Sequence, residues 1–302
     1  MNTYITFVSW EDRFAESLKN DLKNHPDIQQ IYFFYFLDEQ FFTKTQKYVD
    51  TLESIVNNND VTLKKASFSF KNYLETWKAI ANKIEDLTST DEVILNISTM
   101  PRNIIFTMLH FMDQKVANYE VTYYSPFTHG ENLTKNPSKP QMILQHGGIM
   151  YPEKKTALIV ILGHDIKRVY QLFNYFEPYV MLIGLGTDHQ TKLPLDYNTE
   201  FEGISKKEIF KVNSFSHEEV FTALEEQIKP LLENYNILLC SLGPKIEAMG
   251  MYKVHKKYPD TALVYAPSKD YADDYSSGTN FTNVKTISSA WLKIDEQNKY
   301  LD

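Results

Sequence analysis

The chain has 302 residues, a formal net charge of -8, one cysteine and 43% hydrophobic residues. That length fits one large domain or two of about 150 residues, with enough apolar content for a sizeable core. One cysteine excludes a disulfide framework, and the acid excess excludes an extended surface for long nucleic acid. No apolar run reaches the ~18–20 residues of a membrane span. Met1–Trp10 lacks a basic start and a cleavage site, so a cytoplasmic protein with no membrane association is expected.

In chain order, short runs rich in β-branched and aromatic residues alternate with helical periodicity. The first half predicts strands at Tyr4–Ser9, Gln30–Leu37, Val61–Phe68, Val93–Ile97 and Tyr119–Tyr124. Helices are predicted at Asp12–Lys23, Thr45–Asn57, Tyr73–Asp86 and Arg102–Asp113. A polar stretch, Thr128–Pro140, reads as a loop. Met142–His146 and Ile149–Tyr151 flank Gly147-Gly148, which predicts a hairpin on the edge of the first sheet. The second half predicts strands at Ala157–Leu162, Tyr179–Leu185, Glu208–Val212, Ile237–Cys240 and Thr261–Tyr265. Its helices are predicted at Ile166–Phe176, His217–Glu233 and Ile246–Lys256.

The two halves repeat one plan. Ser67-Phe68-Ser69 matches Ser214-Phe215-Ser216, and Ser98-Thr99-Met100-Pro101-Arg102 matches Ser241-Leu242-Gly243-Pro244-Lys245. Tyr124-Ser125-Pro126 matches Tyr265-Ala266-Pro267, in unbroken order. The expected fold is therefore α/β, a tandem duplication of a Rossmann-like, mostly parallel sheet unit flanked by helices, with a small hairpin appendage. The expected division is 1–150, a first unit with a C-terminal hairpin, and 151–302, a second unit with a C-terminal polar loop.

In such sheets ligands sit beyond the carboxyl ends of the strands, where the repeated turns fall. Glycine does not supply a familiar phosphate cradle. The first glycine is Gly130, Gly184 and Gly186 lack a third partner, and there is no P-loop. The alternative is a helix N-terminus with free N–H groups and a nearby cation. Ser98, Thr99 and Arg102, with Ser241, Gly243 and Lys245, fit that role. Pro101 is expected at the first helical position, and Gly243 would let a ligand come close. The same residues also spell ordinary capping. The sharper sign is a basic residue in a helix's first turn, which the macrodipole disfavours unless an anion is bound.

Ser69 and Ser216 read as N-caps, and Ser216 with Glu219 as a capping box. Asp12 and Asp165 read as helix caps, Trp10 as core packing and Cys240 as a buried, inert thiol. His164 beside Asp165 is the one plausible acid–base position among the histidines. Segment 267–279 follows the last strand and reads either as a solvated loop or as a flap, with Tyr271 or Tyr275 available to stack on a base. Asp273 and Asp274 offer weak catalytic or metal-binding candidates; no metal site and no cofactor are expected.

On these two loops, the chain resembles the CRISPR-associated Rossmann-fold (CARF) nucleotide sensors and related antiviral-defence proteins. The turn after the fourth strand there combines Ser or Thr, Gly and Lys, as Ser241-Leu242-Gly243-Pro244-Lys245 does. The resemblance implies two Rossmann-like units that bind a cyclic oligonucleotide at the strand ends. Here the family's double glycine is absent and both loops carry proline.

The expected function is a sensor that binds a phosphate-bearing, cyclic nucleotide or similar small anion in the crevice between the units. An effector protein is the expected partner, and the chain a monomer or homodimer. Two alternatives stand beside it. One is a phosphodiesterase-type enzyme on such a nucleotide, using His164, Asp273 or Asp274; the other is a non-catalytic structural subunit.

Overall fold

Near-continuous apolar runs are what parallel strands need when helices cover both faces of a sheet. The computed structural model describes residues 1–56, 60–130, 134–163, 165–187, 204–272 and 276–294. The first half supplies β1 (Asn2–Phe7), α1 (Asp12–Asn24), β2 (Gln30–Phe36), α2 (Glu39–Val49), α3 (Leu52–Val56) and β3 (Thr62–Phe68). It continues with α4 (Tyr73–Lys83), β4 (Glu92–Asn96), α5 (Arg102–Lys115) and β5 (Asn118–Tyr124). Three short strands follow: β6 (Thr128–His129), β7 (Thr134–Pro137) and β8 (Gln141–Met142). The second half supplies β9 (Lys155–Ile161), α6 (Lys167–Phe176), β10 (Val180–Gly186), β11 (Lys206–Val212), α7 (His217–Ile228) and β12 (Tyr235–Ser241). Then come α8 (Glu247–Lys257), β13 (Ala262–Tyr265), β14 (Ser268–Tyr271), β15 (Ser276–Ser277) and β16 (Val284–Ser288).

Two six-stranded sheets share one order, β16-β5-β4-β1-β2-β3 and β8-β13-β12-β9-β10-β11. Five strands of each are parallel, in the Rossmann-like order 3-2-1-4-5. The protein is a tandem repeat of this α/β unit. The inner strands are buried almost throughout, whereas the outer strands β3 and β11 are partly exposed and carry Lys64, Lys65, Lys206, Lys207 and Lys211. Lysine on an open edge opposes pairing with another chain. Beneath the second sheet, Leu158, Val160, Met181, Ile183 and Leu238 pack with Val169 and Leu172 of α6. Each such side chain contributes about 1.5–3 kcal/mol through burial.

The sixth strand of each sheet is antiparallel and comes from the other half of the chain. β16 pairs with β5, placing Ile287 opposite Val121. β8 pairs with β13, placing Met142 opposite Val264. Between these, β6 pairs with β15 and β7 with β14. The compact units are therefore discontinuous: 1–131 with 272–291, and 132–271 with 292–302. They differ from the expected division at residue 150 because the segments after the fifth strands exchange.

The hairpin expected at Gly147-Gly148 does not form. Its segment lies along the start of β13, with Ile143 N–H donating to Leu263 O, Leu263 N–H to His146 O and Ile149 N–H to Asp260 O. Gly148 has φ +61°, and a Cβ there would stand 2.4 Å from the carbonyl oxygens of Asp260 and Thr261. Glycine thus allows close packing within the second unit, not a two-residue turn. The predicted helix Thr45–Asn57 also differs: α2 begins at Glu39, and the chain breaks between α2 and α3. At the break Thr51 Oγ1 donates to Lys47 O at 2.6 Å, a local bond that competes with helix continuation.

Candidate functional site

The repeated turns stand at the carboxyl ends of the fourth strands, as the sequence requires, but their hydroxyls are engaged. In the first unit, Ser98 Oγ accepts from Tyr124 N–H at 2.9 Å, tying the turn to β5. Thr99 Oγ1 donates to Phe7 O at 2.6 Å, tying it to β1. Pro101 is the N-cap of α5, not its first helical residue: its ψ is 147°, and its carbonyl accepts from Ile105 N–H at 2.9 Å. The N-cap residue is a proline whose side chain makes no capping bond, and Arg102 occupies the first helical position. Asn103 follows, 6% exposed, and its Oδ1 has no hydrogen-bond partner.

The second unit uses its turn differently. Glu247 opens α8, and its carboxylate is 0% exposed. Its Oε2 accepts from Ser241 Oγ at 2.6 Å and from Gly243 N–H at 3.1 Å. A Cβ on Gly243 would lie 2.1 Å from Glu247 Oε1. The group that approaches this glycine is thus the chain's own carboxylate. Pro244 and Lys245 form the tight turn before the helix: Glu247 N–H donates to Pro244 O and Ala248 N–H to Lys245 O.

The sequence reading missed two residues at the same ends of the sheets. Arg13 and Arg168 are the second residues of α1 and α6, 2% and 4% exposed. Arg13 Nη1 donates to Tyr124 O at 2.9 Å, and Nη2 pairs with Glu11 Oε2 at 2.6 Å. Ser276 of β15 donates to the same Glu11 oxygen. Arg168 Nε donates to Ala266 O at 2.7 Å, and the guanidinium lies 5.6 Å from the Tyr265 ring centroid. Tyr265 and Tyr271 share a hydrogen bond of 3.0 Å between their hydroxyls. Burial first, then the neighbouring Tyr265, pushes the Tyr271 phenol well above its ordinary range. Tyr271 is therefore tied to Tyr265 through its hydroxyl.

The chain has three arginines among its 31 basic residues, and all three are these. Among the described helices longer than eight residues, only α5 and α6 lack an acid in the first turn, and both carry arginine near their start. The signal was legible as composition: arginine is scarce and falls only at these helix starts.

The other expectations resolve individually. Ser216 caps α7, accepting from Glu219 N–H at 3.2 Å. Ser69 does not cap α4; Asn72 does, and Ser69 instead donates to Asp38 at 3.1 Å. Ser69 stands three residues too early for the helix its phase starts. Asp165 accepts from Lys167 N–H at 3.1 Å near the start of α6. Asp12 is the first residue of α1 and accepts from the Tyr48 hydroxyl at 2.8 Å. Trp10 stacks on Phe41, and Cys240 is buried. His164, Asp273, Asp274 and Tyr275 lie outside the described residues.

A cavity of about 290 Å³ opens at the opposite, amino end of the first sheet, lined by residues including Asn2, His25, Asp27, Glu92 and Glu120. Its acidic lining is unsuited to a phosphate. Among the described residues no group of three or more His, Cys, Asp or Glu is placed to hold a metal ion. No described helix is long and apolar enough to cross a membrane. No protein-family model matches the chain, and no curated protein matches it.

Proposed function

We propose that the protein is a sensor for a phosphate-bearing nucleotide or similar small anion. The ligand is held at the start of α5, and binding is passed to an effector protein, in the manner of the CRISPR-associated Rossmann-fold sensors it resembles. The observation that carries this reading is Arg102, 8% exposed, at the first position of a helix that has a proline N-cap and no acid in its own first turn. A cation there is opposed by the helix dipole and favoured once an anion joins it. Asn103 beside it is buried, and its Oδ1 has no hydrogen-bond partner. Ser98 and Thr99 hold the turn to β5 and β1 and so set its shape.

Isothermal titration with inorganic phosphate and a panel of linear and cyclic nucleotides tests the reading. A saturable ligand is expected, with affinity about 10–100-fold weaker in Arg102→Ala, the loss of one charge-assisted contact. An unchanged affinity in that variant, or no binding across the panel, contradicts it.

A further inference from the structure

The amino end of the first sheet carries a cavity whose chemistry calls for a cation. It holds about 290 Å³, with buried Ile28 and half-buried Ile94 in its floor and Asp27, Glu92 and Glu120 toward solvent. Strand geometry gathers these groups. Glu92 and Ile94 alternate along β4, and Ile94 lies opposite Glu120 of β5, so one face carries two acids around an apolar side chain. Among the described residues no lysine or arginine lines the cavity. The carboxylates of Glu92 and Glu120 meet no hydrogen-bond donor or cation among those residues, whereas Asp27 accepts from the Asn2 amide. The Met1 ammonium is engaged by Asp91 at 2.9 Å. Helix α1 ends beside the cavity with His25 as its C-cap, so the negative pole of its dipole adds to the same field.

We propose that this cavity binds an aliphatic polyamine, with Glu92 and Glu120 taking its ammonium groups and the two isoleucines its methylenes. Ammonium and carboxylate form charge-assisted hydrogen bonds, and methylenes leaving water for the floor add a hydrophobic gain. The volume lies at the small end of ligand pockets, which fits a slender chain and not a ring-bearing nucleotide. A divalent ion fits less well. It takes about six oxygen ligands, and among the described residues no group of three His, Cys, Asp or Glu is placed to hold one. The proposal does not rest on the anion reading of α5, which starts at the other end of β4.

Isothermal titration of the full chain with spermidine tests this, at about 0.15 M salt, where diffuse attraction between exposed charges is largely screened. One saturable equivalent is expected, with affinity at least about 10-fold weaker in Glu92→Gln/Glu120→Gln. Glu39→Gln/Glu85→Gln removes two exposed acids outside the cavity and is expected to leave the affinity unchanged. A second series tests the floor on the unaltered chain: cadaverine is expected to bind severalfold more tightly than diaminopropane, whose two ammonium groups are joined by fewer methylenes. No saturable binding of spermidine, or equal losses in the two double variants, overturns the proposal. Equal affinities for the two diamines overturn it as well. Complete displacement of spermidine by millimolar magnesium would assign the carboxylates to a divalent ion and overturn it too.

Discussion

Asp21, on α1, is 2% exposed and lies among donors from three strands. Tyr4 donates to it at 2.7 Å, Asn96 at 2.9 Å and Thr122 at 3.4 Å, and the Tyr124 hydroxyl donates as well. Burial raises its pKa above the ordinary carboxylate value, while the hydrogen bonds pull it back. Asp21→Ala would leave several buried hydroxyl and amide groups without an acceptor. A loss of about 3 kcal/mol or more in urea unfolding is expected. His255 shows the opposite chemistry. Burial lowers its pKa from 6.5 to about 4, and its Nδ1 lies 2.9 Å from Thr261 O. The unfolded chain binds the proton first, so its contribution is fully present above pH 6.5 and is lost as pH falls toward about 4. A His255→Gln variant should flatten the stability profile across that window relative to the wild type; an unchanged slope contradicts the assignment.

At the scale of elements, strands were the most legible features of the sequence, because burial on both faces of a parallel sheet leaves an unbroken apolar run. β2 begins at Gln30 and α5 at Arg102, as their patterns predict. What was not legible depended on partners far away in sequence. β16, Val-Lys-Thr-Ile-Ser, shows little apolar content of its own and becomes a strand only against β5, more than 150 residues earlier. The site was half legible. Ser98, Thr99, Ser241 and Gly243 look like ligand groups from spacing alone, and only the fold reveals that each already has a bond within the chain. A sequence signal did exist for Glu247: an acid follows Pro244 within three residues, whereas none follows Pro101 in the first turn of α5. Gly243→Ala is expected to push Glu247 out of its turn and cost about 1–3 kcal/mol. Thermal unfolding with the midpoint of the wild type would contradict that packing.

For the whole molecule, the exchange of trailing strands means that neither half of the sequence holds a complete sheet. The first sheet waits for β16, near the C-terminal end of the chain, before its sixth strand is in place. Long-range pairing of this kind is slow to form. Ending the chain at residue 271 removes β15 and β16, including the buried Ile287 and the bond from Tyr119 N–H to Ser289 Oγ. Calorimetry of that truncation should show the first unit melting about 10 °C lower, as a loss of a few kcal/mol implies for a unit of this size. A single transition at the wild-type temperature would contradict the exchange. The exchange leaves the start of α5 inside the first unit, with its own strand ends and its own arginine. The most direct measurement of the central claim is the backbone amide NMR spectrum of the full chain as inorganic phosphate is added. The account predicts saturable shifts concentrated at Arg102, Asn103 and Ile104, absent in Arg102→Ala. Shifts spread over the lysine-bearing edges, with none at these three amides, would contradict it.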